Sequence, residues 1–236
     1  MRNRLKRFAR LVAFVRFARA LATPLGRGWL RARRRGALLF QPATVTRLDR
    51  HPALFALVAA RLVEVAAPRV LSFGCSTGEE PVTLARYLPH ARIDAIDANP
   101  ACIAQARRTV DRLELGQIAL ACADTPDALV VDGYDAVFCL SVLRHGDLEV
   151  LRPERCTGLM AFAQFAAAVE MLDRCVRPGG LLILWGCHFR FTDTHISACY
   201  RTVEMPRVKP QPGPFYGPDD RLLPEGRYAA FVFMKR

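Results

Sequence analysis

The sequence predicts a doubly wound α/β fold, a mostly parallel seven-stranded sheet finished by a C-terminal β-hairpin. Three observations carry this. Five short apolar runs alternate with helical patterns between residues 69 and 186, the order that builds a parallel sheet. A glycine-bracketed turn follows the first run directly, as in βα units that cradle a ligand. Two more apolar runs close the chain around a Pro/Gly-rich segment, 206–217.

The elements follow in order. "HPALFALVAARLVEVAA" (51–67) reads as a helix with Pro52 in its first turn. "RVLSF" is the first strand; the turn "GCSTGEEP" (74–81) leads into a helix from about Glu79 to Leu88. "RIDAID" is the second strand and "PACIAQARRTVDRL" its helix; "QIALACAD" and "YDAVFCLSV" are the third and fourth strands. A long helix near "MAFAQFAAAVEMLDRCV" is stopped by the "RPGG" turn at 177–180, and "LLILWG" is the fifth strand. "CYRTVEM" and "YAAFVFMKR" form the hairpin.

A chain of 236 residues supports one good core with a small appendage. Its net charge of +12 is local: twelve of the 34 Lys and Arg lie in residues 1–36, which hold no acid, and the rest balances 22 against 22. We divide the chain into a basic amphipathic arm, 1–43, and a domain, 44–236. Within the arm, Leu5, Phe8, Val12 and Val15 share one strip of a helix. Such a helix suits an anionic membrane surface or RNA through residues 1–36; the alternative is a helix that packs on the body and solvates its arginines. Arg16 and Arg19 break the apolar core a secretory signal needs, and no run is long enough to span a membrane. The eight cysteines are dispersed without a C-x-x-C pair. This favours a reducing cytoplasm and argues against a clustered zinc site.

"GCSTGEEP" reads two ways. As G-x-S-x-G it matches the nucleophile elbow of serine hydrolases, with Ser76 as nucleophile. That reading lacks the strands and the oxyanion loop that should precede an elbow. As a cofactor turn it gains Asp97, 23 positions after Gly74 at the end of the second strand, where a carboxylate can accept from ribose hydroxyls. Asp124, ending the third strand, is placed to reach an adenine amino group; it also fits an ordinary turn before Thr-Pro. Glu79 and Glu80 would repel a pyrophosphate but not S-adenosylmethionine, which carries a sulfonium and an ammonium. They also suit a capping box with Ser76 or Thr77.

With these residues on the page, the chain resembles the class I S-adenosylmethionine-dependent methyltransferases, whose Rossmann-like fold matches the predicted sheet. Within that class four blocks resemble the chemoreceptor glutamate methyltransferases, the CheR type: "STGEEP" (76–81), "FCLSVLRHGD" (138–147), "VRPGGLLILWG" (176–186) and "TVTRLDRHPALFALV" (44–58). The resemblance implies cofactor contacts at Thr46, Arg50, Glu80, Asp97, Ser141 and Val142, and along the backbone of Gly74, Cys75, Ser76 and Gly78. Thr44 and Ser141 stand where that family has Asn, and no full helical docking domain precedes the first strand.

The resemblance implies methyl transfer to a protein or small-molecule acceptor, at an oxygen or carboxylate. In-line displacement works largely by proximity and orientation. A carboxylate acceptor needs no base, whereas a hydroxyl does; His145, past the fourth strand, is the candidate base. Arg50 offers a planar fork to a carboxylate. No N-P-P-aromatic motif or Pro-Cys nucleophile is present for base methylation of nucleic acid. A non-catalytic module that keeps the fold and binds membrane or RNA through the arm is the rival of a different class.

Overall fold

Strand β1 (Arg69–Phe73) is buried from Val70 onward and pairs in parallel with β2 (Arg92–Ile96) on one side and β4 (Tyr134–Leu140) on the other. Beyond β2 lies β3 (Ile118–Ala121); beyond β4 lies β5 (Val176–Trp185), also parallel. The tail adds β6 (Tyr200–Val203) and β9 (Val232–Lys235), which pair antiparallel, with β9 also antiparallel to β5. The order is β3-β2-β1-β4-β5-β9-β6, and a separate two-stranded sheet joins β7 (Gln211–Pro212) to β8 (Arg227–Tyr228). The computed structural model describes residues 21–41, 43–127, 133–205, 208–224 and 226–236. The strip formed by Leu5, Phe8, Val12 and Val15 lies outside them.

Alternation along the strands sends successive side chains to opposite faces. Val70, Phe138 and Ile183 meet helices α2 (Pro52–Arg61), α3 (Glu79–Tyr87) and α4 (Pro100–Arg112) through Phe55, Val82 and Ile103. Leu71, Val137 and Leu182 meet α6 (Phe162–Asp173) through Phe165, Val169 and Leu172. Near-continuous apolar strands covered on both faces are what a parallel sheet requires. Because β1 sits between strands whose connections run in opposite directions, the carboxyl ends of β1 and β4 border the crevice where ligands of such sheets bind.

Three elements differ from the sequence reading. Helix α2 stops at Arg61 and not at 67; the chain turns at Leu62, leaving Val63 73% exposed. "RPGG" does not separate helix from strand but lies inside β5, where Gly179 adopts φ +75° and the β4–β5 register shifts. A short helix α5 (Gly146–Leu151) follows β4, its first turn capped by the His145 ring. The hairpin forms as expected, and Asp173 fixes it to α6 by accepting from Tyr200 Oη at 2.7 Å and pairing with Lys235 Nζ at 2.9 Å.

Part of the arm belongs to the body. Helix α1 (Pro24–Arg34), capped by Thr23, lays Gly28 and Ala32 against α4. A Cβ on Gly28 would collide with Asn99 Oδ1, so only glycine permits this approach. Asn99 Nδ2 donates to Leu25 O at 2.9 Å. No helix among the described residues is long and apolar enough to cross a membrane. All eight cysteines are free; six are buried, and Cys122 and Cys199 are exposed.

Candidate cofactor site

A cavity of about 990 Å³, open mouth included, lies over the carboxyl ends of β1 to β4. Its floor is the turn after β1. Gly74 adopts φ +74°, and a Cβ there would run into Val142, so the backbone approaches the β4 loop as only glycine allows. Gly78, at φ +98°, caps α3 and packs on Ala106, behind the wall. The capping-box reading of Glu79 and Glu80 is corrected: Gly78 is the cap, Glu79 accepts from Thr77 Oγ1 at 2.6 Å, and Glu80 accepts from Ser72 Oγ at 2.7 Å.

Asp97 stands at the end of β2 in the cavity wall. Its Oδ2 accepts from Ser76 N at 2.9 Å and its Oδ1 from Asn99 N at 2.8 Å, which locks the turns after β1 and β2 together. Each carboxylate oxygen keeps a further lone-pair site. Burial raises the Asp97 pKa, opposed by those two backbone donors. Burial pushes Glu80 up to about 7, against the Ser72 hydroxyl and the charge of Arg50. Ser76 is no elbow nucleophile in this arrangement: at φ +50° its Oγ donates to Thr44 O at 3.0 Å.

The opposite wall is the segment 38–51, a strap across the strand ends. Leu38 N donates to Asp124 Oδ2 at 2.7 Å, Gln41 Nε2 donates to Ser141 O, and Asp49 N donates to Thr83 Oγ1 at 3.0 Å. Thr46, Arg47 and Arg50 line the cavity from this strap. Arg50 Nη1 reaches Val45 O only at 3.4 Å, so the strap holds its guanidinium loosely.

Of the residues singled out from the sequence, the fold brings Thr46, Arg50, Gly74, Cys75, Ser76, Glu80, Asp97, Asp124, Ser141 and Val142 to this one cavity. Gly78 and His145 are not in its lining. His145 Nδ1 accepts from Asp147 N at 3.2 Å, and its carbonyl faces His188 Nε2 at 3.0 Å, so the ring is turned to the α5 terminus.

Sequence reasoning missed Trp29, Gln41 and His51. Trp29 arrives from α1, which only tertiary packing reveals. His51 lay in full view inside the block 44–58. It stacks on Trp185 at 4.6 Å between centroids and makes no cap bond to α2. Burial, with Arg50 and Arg47 adding to it, lowers its pKa to about 4, so the ring is neutral at pH 7.

Trp29 Nε1, His51 Nε2 and Ser141 Oγ are buried without a hydrogen-bond partner, and all three residues line this cavity. Buried polar groups are ordinarily paired, so three orphans around one space mark the place of a polar ligand. Acids at Glu80, Asp97 and Asp124 suit a ligand with cationic and hydroxyl groups; a guanidinium at Arg50 suits its carboxylate. The residues present therefore fit S-adenosylmethionine. Among the described residues no group of three His, Cys, Asp or Glu could hold a metal ion.

Residues 70–180, from β1 into β5, match the family model described as a methyltransferase domain. The matched residues span β1 to β4 and the start of β5 of the seven-stranded, Rossmann-like sheet. An uncharacterized protein of Synechococcus sp. is 32% identical over 139 residues, 56% of this chain and 28% of that relative. Among solved structures, an amino pentose methyltransferase from Micromonospora echinaspora with bound S-adenosylmethionine is 25% identical, with a TM-score of 0.43, over 59% of this chain and 50% of that one. A methyltransferase from Geobacter sulfurreducens in complex with S-adenosyl-L-homocysteine is 21% identical, with a TM-score of 0.41, over 59% and 49%. The chain thus spans about half the length of these solved structures and about a quarter of the curated relative.

Proposed function

We propose that the whole chain is an S-adenosylmethionine-dependent methyltransferase of the cytoplasm whose acceptor is an oxygen or carboxylate on a protein or small molecule. The observation that carries this is the set of orphaned polar atoms facing one cavity whose other walls are Asp97 and the Gly74 turn. When bound, S-adenosylmethionine supplies an electrophilic methyl group on a sulfonium. In this reading Asp97 accepts from the ribose, Asp124 bounds the adenine end, and Glu80 and Arg50 meet the amino acid end.

The acceptor end then lies over β4 and β5. Leu140 and Trp185 are paired there, and His51 stacks on Trp185. For a hydroxyl acceptor, His51 and not His145 is the histidine that lines the cavity, and as a neutral ring it can take a proton at Nε2. Arg50 orients a carboxylate acceptor equally well. The four blocks shared with the chemoreceptor glutamate methyltransferases support the carboxylate branch.

The test is calorimetry on the full chain with S-adenosylmethionine, S-adenosylhomocysteine and NAD. The first two should bind and NAD should not, because Glu80, in the cavity lining just past the Gly74 turn, would repel a pyrophosphate. Preference for NAD would overturn the reading.

A further inference from the structure

Three further features of the molecule could hold a ligand or partner. His188 is buried with Nδ1 3.1 Å from Pro214 O and Nε2 3.0 Å from His145 O, but it joins two loops and faces no open space. The small pocket between Phe165, Phe189 and Phe231 is mostly apolar and holds about 10 Å³, too little for more than a water-sized group, although Gln211 and Tyr228 also line it. The third feature, the rim of the cofactor cavity, carries an argument through.

That rim is amphiphilic. Leu38 and Val45 line the cavity and are still 40% and 83% exposed, Leu48 on the same segment is 45% exposed, and so is Leu21, just before α1. Arg47 and Arg50 line the same opening, and the Arg33 guanidinium lies 5.4 Å from the centre of the Trp29 ring, another wall residue. Helix α1 turns Gly28 and Ala32 inward and leaves Arg27, Arg31, Arg33 and Arg34 exposed, with Arg35 following. No acid occurs in residues 1–48 to neutralise them. Exposed aliphatic side chains among arginines fit the boundary of an anionic lipid surface, where the charges meet headgroups and the apolar side chains meet acyl chains. Single-stranded RNA calls for aromatic platforms on which bases stack. None of the described Phe, Tyr or Trp residues is exposed.

We propose that the rim of the cofactor cavity, helix α1 with the strap 38–50, docks on an anionic phospholipid surface, so that the cavity opens toward molecules held at that surface. This rests on the methyltransferase reading only for what enters the cavity; lipid binding and cofactor binding are separate measurements. Because α1 and the strap are also cavity walls, through Trp29 and Leu38, lipid and cofactor should strengthen each other's binding by one common factor.

The experiment is co-sedimentation of the full chain with vesicles of phosphatidylcholine alone or mixed with phosphatidylglycerol, at low and high salt, with and without S-adenosylhomocysteine. We expect binding to the mixed vesicles only, weakened by salt. The triple variant Arg31→Gln/Arg34→Gln/Arg35→Gln should partition about tenfold more weakly or worse. Val45→Asp, which alters a side chain with little packing to lose, should also weaken it. S-adenosylhomocysteine affinity should rise about threefold or more on mixed vesicles. Full binding by both variants, equal binding to pure phosphatidylcholine, or displacement from vesicles by a single-stranded RNA oligonucleotide would overturn the proposal. So would a cofactor affinity indifferent to vesicles. Failure of S-adenosylhomocysteine to bind without vesicles would count against the methyltransferase reading instead.

Discussion

The two ends of the cavity are built differently. At the β1–β2 end the polar groups already satisfy one another: both oxygens of Asp97 accept backbone N–H groups, and Glu80 accepts the Ser72 hydroxyl. At the β4–β5 end, His51 Nε2 and Ser141 Oγ are buried and unpaired; Trp29 Nε1, unpaired as well, comes from α1, which packs beside Asn99. One end is fixed by its own hydrogen bonds before any ligand arrives; the other carries a desolvation cost that a ligand relieves. In the proposed reading, binding is set up at the first end and methyl transfer takes place at the second.

The harshest way to break this division is at the floor shared by both ends. Gly74→Ala adds a Cβ against Val142 and forces φ +74° on a residue that disfavours it. It should cost roughly 2–4 kcal/mol of stability. Gly36→Ala meets the same kind of backbone, φ +73°, with nothing within 4 Å of the new Cβ. It should cost only about 1–2 kcal/mol. Denaturant melts of the two variants separate the collision from the backbone strain.

A pH series sharpens the contrast between the ends. Burial raises Glu80 from 4.5 to about 7, so its stabilising contribution is complete below pH 4.5 and is lost as pH rises through 7. Over the same window S-adenosylmethionine affinity should increase, because a cationic ligand favours the ionised carboxylate. Glu80→Gln should remove both trends. His51, lowered from 6.5 to about 4, acts in the other direction: its contribution is complete above pH 6.5 and is lost as pH falls through 4. His188 is shifted the same way by burial and persists as a background.

The smallest effects distinguish the two histidines. His51→Gln should flatten part of the acid-side loss of stability and leave S-adenosylhomocysteine affinity within about threefold, as suits a group at the acceptor end. His145→Gln removes a cap from α5 and should cost about 0.5–2 kcal/mol, with cofactor affinity unchanged. Exchange of these two behaviours would return the acceptor end to His145.

The same division explains what could be read in advance. The strands, the glycine turn and Asp97 follow from local periodicity and from the fixed spacing of a βα unit, so they were legible. Glu80 was legible from its charge, but its bond to Ser72 depends on which face of β1 that serine occupies. Trp29 was not legible, because α1 reaches the cavity only through the contact of Gly28 with Asn99 and Ala101, between segments seventy residues apart. His145 and His51 follow similar local patterns, beside a turn and before a proline; only the packing of His51 on Trp185 separates them. The end of α2 was misjudged because apolar residues continue to Ala67 while the body offers no surface to Val63.

The measurement that bears most directly on the account is titration of S-adenosylhomocysteine into Asp97→Ala beside the wild type, with melting followed in parallel. Asp97 holds the turns after β1 and β2 and has lone-pair sites left for the ribose hydroxyls. The account predicts affinity lower by roughly 1.5–3 kcal/mol, about ten- to a hundredfold, in a variant that remains folded. Undiminished affinity in that folded variant would contradict the assignment of this cavity as the cofactor site.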